Sequence, residues 1–409
     1  MATPVFVPIV EIKSVRCHPG ADKLDLCDAL GWQVCIQKGK YKEGQKLIYF
    51  PPDTLLPAAW ADKWNVRQYL KGAEKDRIGS IKLRSEPSHG LLMDIPEGQD
   101  WPIGTDVSEF FGCTKYCPPV KSCIGDTDKP DDRVPKYTDI QNLRHYPDLF
   151  SDGEMVSVTE KIHGQNGRTI IIDGIKKAGS MELLRKPPCT YSLKTEVEID
   201  PIIMDRLGDL YKQLPKTLDG VLKLSKEQFD ALKEKGLTKE DFYLSEELSL
   251  DNPIVANNNF WFSWTVPAIK ALVEGEYAAR NAKLVILYGE IFGSKVQKGF
   301  EYNVANGKFG YRAFDLLVDG KYIDTPEFRE ICIQYGVDIV PELYYGPFSL
   351  AKIKELTIGK TLLGADHIRE GVVVKPVAER SHPKIGRTVL KYVSDEFLAT
   401  KDGKDFTDV

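Results

Sequence analysis

Lys161 is the residue of this sequence whose setting most invites chemistry. It follows directly on the strand-like run that begins at Met155–Val158, and His163, Gly164, Gln165 and Asn166 come within the next five residues. A lysine amine attacks only in its neutral form, so its ordinary pKa of about 10.4 has to be pulled down by neighbouring cations or by desolvation. Gly164, lacking a Cβ, lets a phosphate-bearing ligand approach the backbone closely. Further polar residues recur in strand-like runs: Glu290 in Tyr288–Phe292, Asp315 after Tyr311, Ala313 and Phe314, Glu370 and Lys375 in EGVVVK, and Lys391 in the last run. Taken one at a time, each also has an ordinary structural reading. Glu290 fits a surface carboxylate, Tyr311 and Phe314 fit core rings, His163 a backbone partner in a tight turn, and Lys375 a strand cap. Between Arg369 and Val393, six Lys or Arg stand against two Asp or Glu, a balance that suits a positive rim for a polyphosphate backbone as well as a solvated face.

These residues need a scaffold, and 409 residues are enough for two domains. With 42% hydrophobic and 28% charged residues, the composition is that of an ordinary globular protein rather than a disordered or fibrous one. No run approaches the roughly 18 apolar residues of a spanning helix, and the first residues lack the layout of a signal peptide. The expectation is an intracellular protein with no membrane association and no obligate protein partner. Eight cysteines are too sparse for a disulfide framework and read as thiols. Their one cluster, Cys113, Cys117 and Cys123, lacks a fourth ligand at zinc-like spacing, so half-buried small side chains are expected there. The net charge of −5 argues against binding nucleic acid through bulk electrostatics, though not against a local basic groove.

The fold class expected is α+β. Residues 1–125 break into short β-rich runs bounded by HPGAD, GKYKEG and PP, a pattern that predicts a small β-barrel. Sixteen Lys or Arg against fifteen Asp or Glu in that span leave it without a global basic charge. Residues 126–137, rich in proline and mixed charge, read as a solvated linker. A larger domain with antiparallel sheets is expected over 138–409. It is interrupted around 200–245 by a helical insertion, signalled by DRLGDLYKQL and by SKEQFDALKEKG with its capping box of Ser225 and Gln228 and its terminating Gly236.

The ordered series from Lys161 to Lys391 resembles the covalent nucleotidyltransferases, the superfamily of ATP-dependent polynucleotide ligases and RNA capping enzymes. DNA ligases and capping enzymes usually carry Lys-x-Asp-Gly, whereas Lys161-Ile162-His163-Gly164-Gln165-Asn166 looks like the Lys-x-His-Gly-x-Asn of the phage RNA ligase 2 type. Those other enzymes also place their OB barrel after the last motif. Only eighteen residues follow Lys391 in this 409-residue sequence, while a barrel is expected in front. That order resembles the RNA ligase family with an N-terminal OB domain and a C-terminal ligase domain, and HPGADKLDL, GWQVCIQKGKYKEGQ and IKLRSEPSHGLLM look like its N-terminal module.

The resemblance implies roles residue by residue. Lys161 would attack the α-phosphorus of ATP, expel pyrophosphate and hold AMP as a phosphoramidate; the AMP would pass to a 5′-phosphate, and a 3′-hydroxyl would displace it. Mg²⁺ or Mn²⁺ would be held by Glu370, with Glu290 serving either the metal or the ribose hydroxyls. Lys375 and Lys391 would neutralise the AMP phosphate and depress the pKa of Lys161. Tyr311, four residues before the motif's aspartate, would stack on adenine. His163, Asn166 and Arg185 would join the nucleotide or 5′-phosphate contacts, and Glu160 would offer its backbone to the adenine edge. In two places the sequence departs from the phage pattern: Val389 stands where a second lysine precedes Lys391, and Met181 follows Ser180 where an arginine is usual, leaving Arg185 as the nearby cation. The implied partner is RNA or an RNA-containing nicked duplex. The alternatives are a GTP-dependent capping-type transferase and a non-catalytic RNA-binding protein on a ligase fold.

Overall fold

The computed structural model describes residues 5–116, 127–193, 200–209, 217–219, 242–247, 249–297 and 299–398. In the N-terminal part, Ile9–Glu11, Lys46–Phe50 and Leu91–Met93 form one antiparallel sheet, and Ser14–Cys17, Leu24–Ala29 and Trp32–Gln37 form a second. The expected small barrel is thus two curled three-stranded sheets, whose ladders do not join into one closed ring among the described residues. Alternation explains their stability. Val10, Ile12, Leu47 and Tyr49 pack into one core, and Ile9, Ile48 and Phe50, their neighbours along the same strands, pack into another, so these strands are buried on both faces. Cys113 belongs to the second core, where burial pushes its thiol up to about 12; Cys117 and Cys123 lie outside the described residues.

Two sheets build the C-terminal part. The first, called the floor, runs in the order Gln141–Asn142, Leu390–Val393, Gly371–Pro376, Met155–Lys161, Glu342–Pro347, with only its first pair parallel. The second, the wall, runs Leu184–Arg185, Ile175–Gly179, Gln165–Ile172, Leu284–Phe292, Gly310–Val318, Lys321–Tyr322. The helices Pro267–Ala279 and Thr325–Tyr335 cover the wall's outer face around Leu272, Val273, Leu287 and Phe328, and the helix Leu350–Thr357 covers the underside of the floor around Ile353 and Val374. A bulge interrupts the wall. Tyr288 faces Asp315 and Gly289 faces Ala313, so Phe314 is the extra residue, and the residues after it change face.

The segment 200–245 departs from the purely helical expectation. It holds the short helix Pro201–Leu207, capped by the Asp200 side chain on the Ile202 amide, but Thr217–Asp219 and Phe242–Glu247 are strands that flank Cys189–Leu193 in a three-stranded sheet. These strands lie outside the two stretches read as helical, 205–214 and 225–236. The capping-box helix read around Ser225–Gly236 lies outside the described residues. No described helix is long and apolar enough to cross a membrane.

Arg144 joins the N-terminal sheets to the floor. Its guanidinium lies between the rings of Trp32, at 3.9 Å, and Tyr392, at 4.2 Å, and donates to Asp395 (2.9 Å), the Val393 carbonyl (3.2 Å) and the Gly31 carbonyl (3.3 Å). His89 and His145 both face the same Trp32 ring. Burial pushes His89 down from 6.5 to about 4 and His145 to about 3, and the Arg144 charge acts in the same direction on both. In the unfolded chain these imidazoles take up protons around pH 6.5, whereas the folded protein resists protonation until well below it. Between those limits the unfolded state binds more protons, so stability is expected to fall as pH drops from about 6.5 towards 4. Denaturant titrations across that range are the check, with a double His89→Gln, His145→Asn variant expected to show a flatter profile.

Candidate active site

A cavity of about 640 Å³ opens between floor and wall. Lys161 stands at one end of it, as the last residue of the strand Met155–Lys161. Its ammonium pairs with Glu370, whose carboxylate is fully buried. Nδ1 of His163 lies 3.3 Å from the second oxygen of Glu370. The His163 ring is held edge-on by Phe300 and Phe397, and its amide donates to the Tyr302 hydroxyl at 2.7 Å. His163 therefore packs behind the nucleophile, against Glu370, and is not part of the cavity lining.

Two glycines permit this closeness. Gly371 stands directly opposite Lys161 in the floor, and a Cβ there would come within 2.3 Å of the Tyr392 carbonyl oxygen and 2.8 Å of the Val393 Cα. At Gly164 a Cβ would come within 2.4 Å of the Ile291 carbonyl oxygen and 2.9 Å of Cγ of Glu290. Without side chains at these points, the nucleophile turn can lie flat against the strand that carries Glu290. Glu290 and Asn166 face one another across the wall and both line the cavity. Asn166 Oδ1 is buried and has no protein hydrogen-bond partner, the condition of an acceptor that a ligand hydroxyl would satisfy.

The floor contributes a lateral row of Lys391, Val373, Thr159 and Glu342, paired strand to strand, and all four line the cavity. Lys391 is one row from Lys161. Glu160 turns its side chain away, accepting from the Leu362 amide at 2.8 Å, which leaves its main chain beside the cavity. Arg185 also lines the cavity, with its guanidinium 4.7 Å from the Phe260 ring.

Besides that of His163, two further expectations are corrected. Tyr311 does not reach the cavity; it is buried in the outer core of the wall, its ring over Gly289, where a Cβ would come within 2.1 Å of it. A spacing of four places Tyr311 and Asp315 on one face only in a regular strand, and the bulge at Phe314 breaks that phase. Phe314 and Asp315 line the cavity instead. Lys375 does line the cavity, but opposite Ser157, four residues from the Lys161 row and so about 13 Å along the sheet. Its ammonium donates to Asp315 (2.7 Å) and the Phe314 carbonyl (3.0 Å), which takes it away from a phosphate at Lys161.

Several lining residues escaped the sequence reading: Lys115, Tyr116 and Lys136 from the N-terminal part and its connection, Arg329 of the helix Thr325–Tyr335, and Glu342 of the floor's edge strand. None belongs to a local motif. The one signal available was that Val389 left a cation missing, without saying from where another would come.

For a divalent cation, the carboxylate that lines the cavity with Lys161 is Glu290; Glu370, the first expected ligand, is fully buried against Lys161 and His163 and is not part of the lining. Among the described residues no group of three or more His, Cys, Asp or Glu forms a ready-made cage. A carboxylate on an open cavity fits Mg²⁺ or Mn²⁺, ions that keep water and substrate oxygens among their ligands.

The sequence profile of the RNA ligase family matches residues 154–393, and an OB-fold domain profile matches residues 6–95. No curated protein matches the sequence. Among solved structures, the fold is similar to a Naegleria gruberi RNA ligase with pyrophosphate, at 18% identity and a TM-score of 0.62, over 98% of this chain and 100% of the other. A mutant of that ligase with ATP and Mn matches at 18% identity and 0.61, covering 98% and 99%, and another with AMP and Mn at 18% and 0.62, covering 96% and 98%.

Asp315 anchors the deep end of the cavity. Besides Lys375 it accepts two hydrogen bonds from Arg387, both at 2.8 Å, and one from Tyr137 at 2.5 Å. Burial alone would raise its pKa, but the charges of Arg387 and Lys375 outweigh that and hold it well below the usual carboxylate range. Asp315→Asn leaves the buried Lys375 without its counter-charge and Arg387 with Glu379 alone, and is expected to destabilise the fold by about 3–5 kcal/mol. Equilibrium denaturation in urea measures it.

Proposed function

Because the chain belongs to the RNA ligase family, we propose that it is an ATP-dependent ligase that joins a 3′-hydroxyl to a 5′-phosphate at breaks in a duplex, through an adenylate carried on Lys161. The observation that carries this reading is the pairing of Lys161 with the buried Glu370 beside a cavity of about 640 Å³. The ATP, AMP and Mn of the Naegleria structures support the choice of nucleotide and metal.

Each step is a displacement at phosphorus. The Lys161 amine attacks the α-phosphorus of ATP, the bond to pyrophosphate breaks, and the amine loses its proton. The adenylate then moves to the 5′-phosphate of the strand, freeing Lys161, and the 3′-hydroxyl attacks that phosphate with AMP as leaving group. The protein contributes position and charge. Glu370 fixes the Lys161 side chain, His163 fixes Glu370, and Lys391 is the floor cation nearest the transferred phosphate. Asn166 Oδ1 is available to a ribose hydroxyl. Mg²⁺ or Mn²⁺ on Glu290 would offset charge on the phosphate oxygens and, as a nearby cation, favour the neutral amine at Lys161. Lys115, Tyr116 and Lys136 extend the lining towards the N-terminal sheets, a direction in which a polyphosphate or a strand end could be met.

Incubation with α-labelled ATP and Mg²⁺ or Mn²⁺ is expected to leave label on the protein, and Lys161→Ala to remove it. The same variant should still seal a nicked RNA duplex whose 5′ end already carries AMP, because the nucleophile is then bypassed. Labelling from GTP alone would support capping, and no labelling from either nucleotide would end this reading.

A further inference from the structure

The end of the cavity away from Lys161 has the make-up of a base slot. A nucleoside carried on Lys161 extends along the floor strand past Thr159, since successive same-face residues are about 6.6 Å apart. Around Thr159 the lining offers apolar surface from Val373 on the floor, Phe314 on the wall, and Ile339 and Val340, with Lys391 at the far end of the same lateral row. One charged acceptor closes it. Glu342 stands beside Thr159 in the lateral row, on the floor's edge strand. Both of its oxygens lie 2.7 Å from Nη1 of Arg329, and Oε2 accepts from the Ser157 hydroxyl at 3.1 Å. A carboxylate has about four acceptor sites, so these bonds fix its direction and leave capacity unused. An apolar slot with one or two oriented polar groups is the usual form of a specific small-molecule site.

We propose that Glu342 determines the choice of purine: its carboxylate accepts the exocyclic amine of adenine and repels the carbonyl that guanine presents at the same position. Arg329 and Ser157 are its positioning residues. This rests on the reading that Lys161 takes AMP from ATP, and it assigns the selectivity of that step to a side chain outside the ordered motif series. A carboxylate accepts only, so an incoming carbonyl meets an acceptor facing an acceptor, and a base without the amine leaves the charge less well satisfied.

Three nucleotides test it: ATP, GTP and purine riboside triphosphate, which lacks the amine. Initial rates of protein labelling are compared for the unaltered protein, for Glu342→Ala, and for Glu342→Gln, which keeps the volume and can also donate. The unaltered protein is expected to prefer ATP over the purine analogue by on the order of 10- to 100-fold, the worth of one hydrogen bond to a charged group. In Glu342→Ala that ratio should fall towards one, and in Glu342→Gln the preference for ATP over GTP should shrink. An unchanged ratio, or equal loss with all three nucleotides in both variants, makes Glu342 structural and overturns the proposal. Absence of labelling in the unaltered protein with every nucleotide would instead overturn the adenylate reading beneath it.

Discussion

A charge pair withdrawn from water organises this molecule. Lys161 and Glu370 meet at the ends of two adjacent floor strands, and the fully buried Glu370 charge depends on that partner. The pairing demands a backbone without side chains at Gly371 and Gly164, a ring behind Glu370 at His163, and aromatic packing from Phe300, Phe397 and Tyr302 to hold that ring. It also sets the chemical problem. An amine held as an ammonium is positioned but not nucleophilic, so whatever loosens the hold of Glu370 also activates Lys161.

The cavity is not the property of one sheet pair alone. Its lining continues through Lys115 and Tyr116 of the N-terminal part and Lys136 of the connection, and the N-terminal part is held to the floor by the Arg144 clasp between Trp32 and Tyr392. Tyr392 is the neighbour of Lys391, so the same short strand carries both a cavity cation and the anchor of the N-terminal sheets. Stability of that junction and geometry of the cavity are therefore coupled through four residues of chain.

Much of this was legible in the sequence. Lys161, Asn166, Glu290 and Lys391 sit on strands, and the resemblance of their order along the chain to a known motif series was enough to name them; all four line one cavity. The positions that misled the reading are those where periodicity fails or local pattern is silent. Tyr311 was assigned by resemblance, as the aromatic four residues before the motif's aspartate, and the bulge at Phe314 puts it on the other face from that aspartate. Lys375 was assigned by charge, while the carboxylate that claims it, Asp315, comes from the other sheet. Lys115, Arg329 and Glu342 are brought in by tertiary packing and carry no local signature. In the insertion, helix-favouring composition gave no hint of the strands that pair with Cys189–Leu193.

The extra residue at Phe314 bears on how this strand could change over time. Ahead of it, Tyr311 and Ala313 face the outer core; behind it, Leu316 and Val318 do, and Asp315 is thereby turned inward to Lys375 and Arg387. Closing the bulge with every residue kept would restore ordinary alternation and rotate the carboxylate into hydrocarbon while its two cations stayed behind. Loss of the Phe314 codon alone would instead leave Ala313 facing outward and Asp315 inward, removing only a ring from the cavity lining. Lineages of this chain should therefore tolerate a residue lost at Phe314 better than one gained or lost elsewhere along Gly310–Val318.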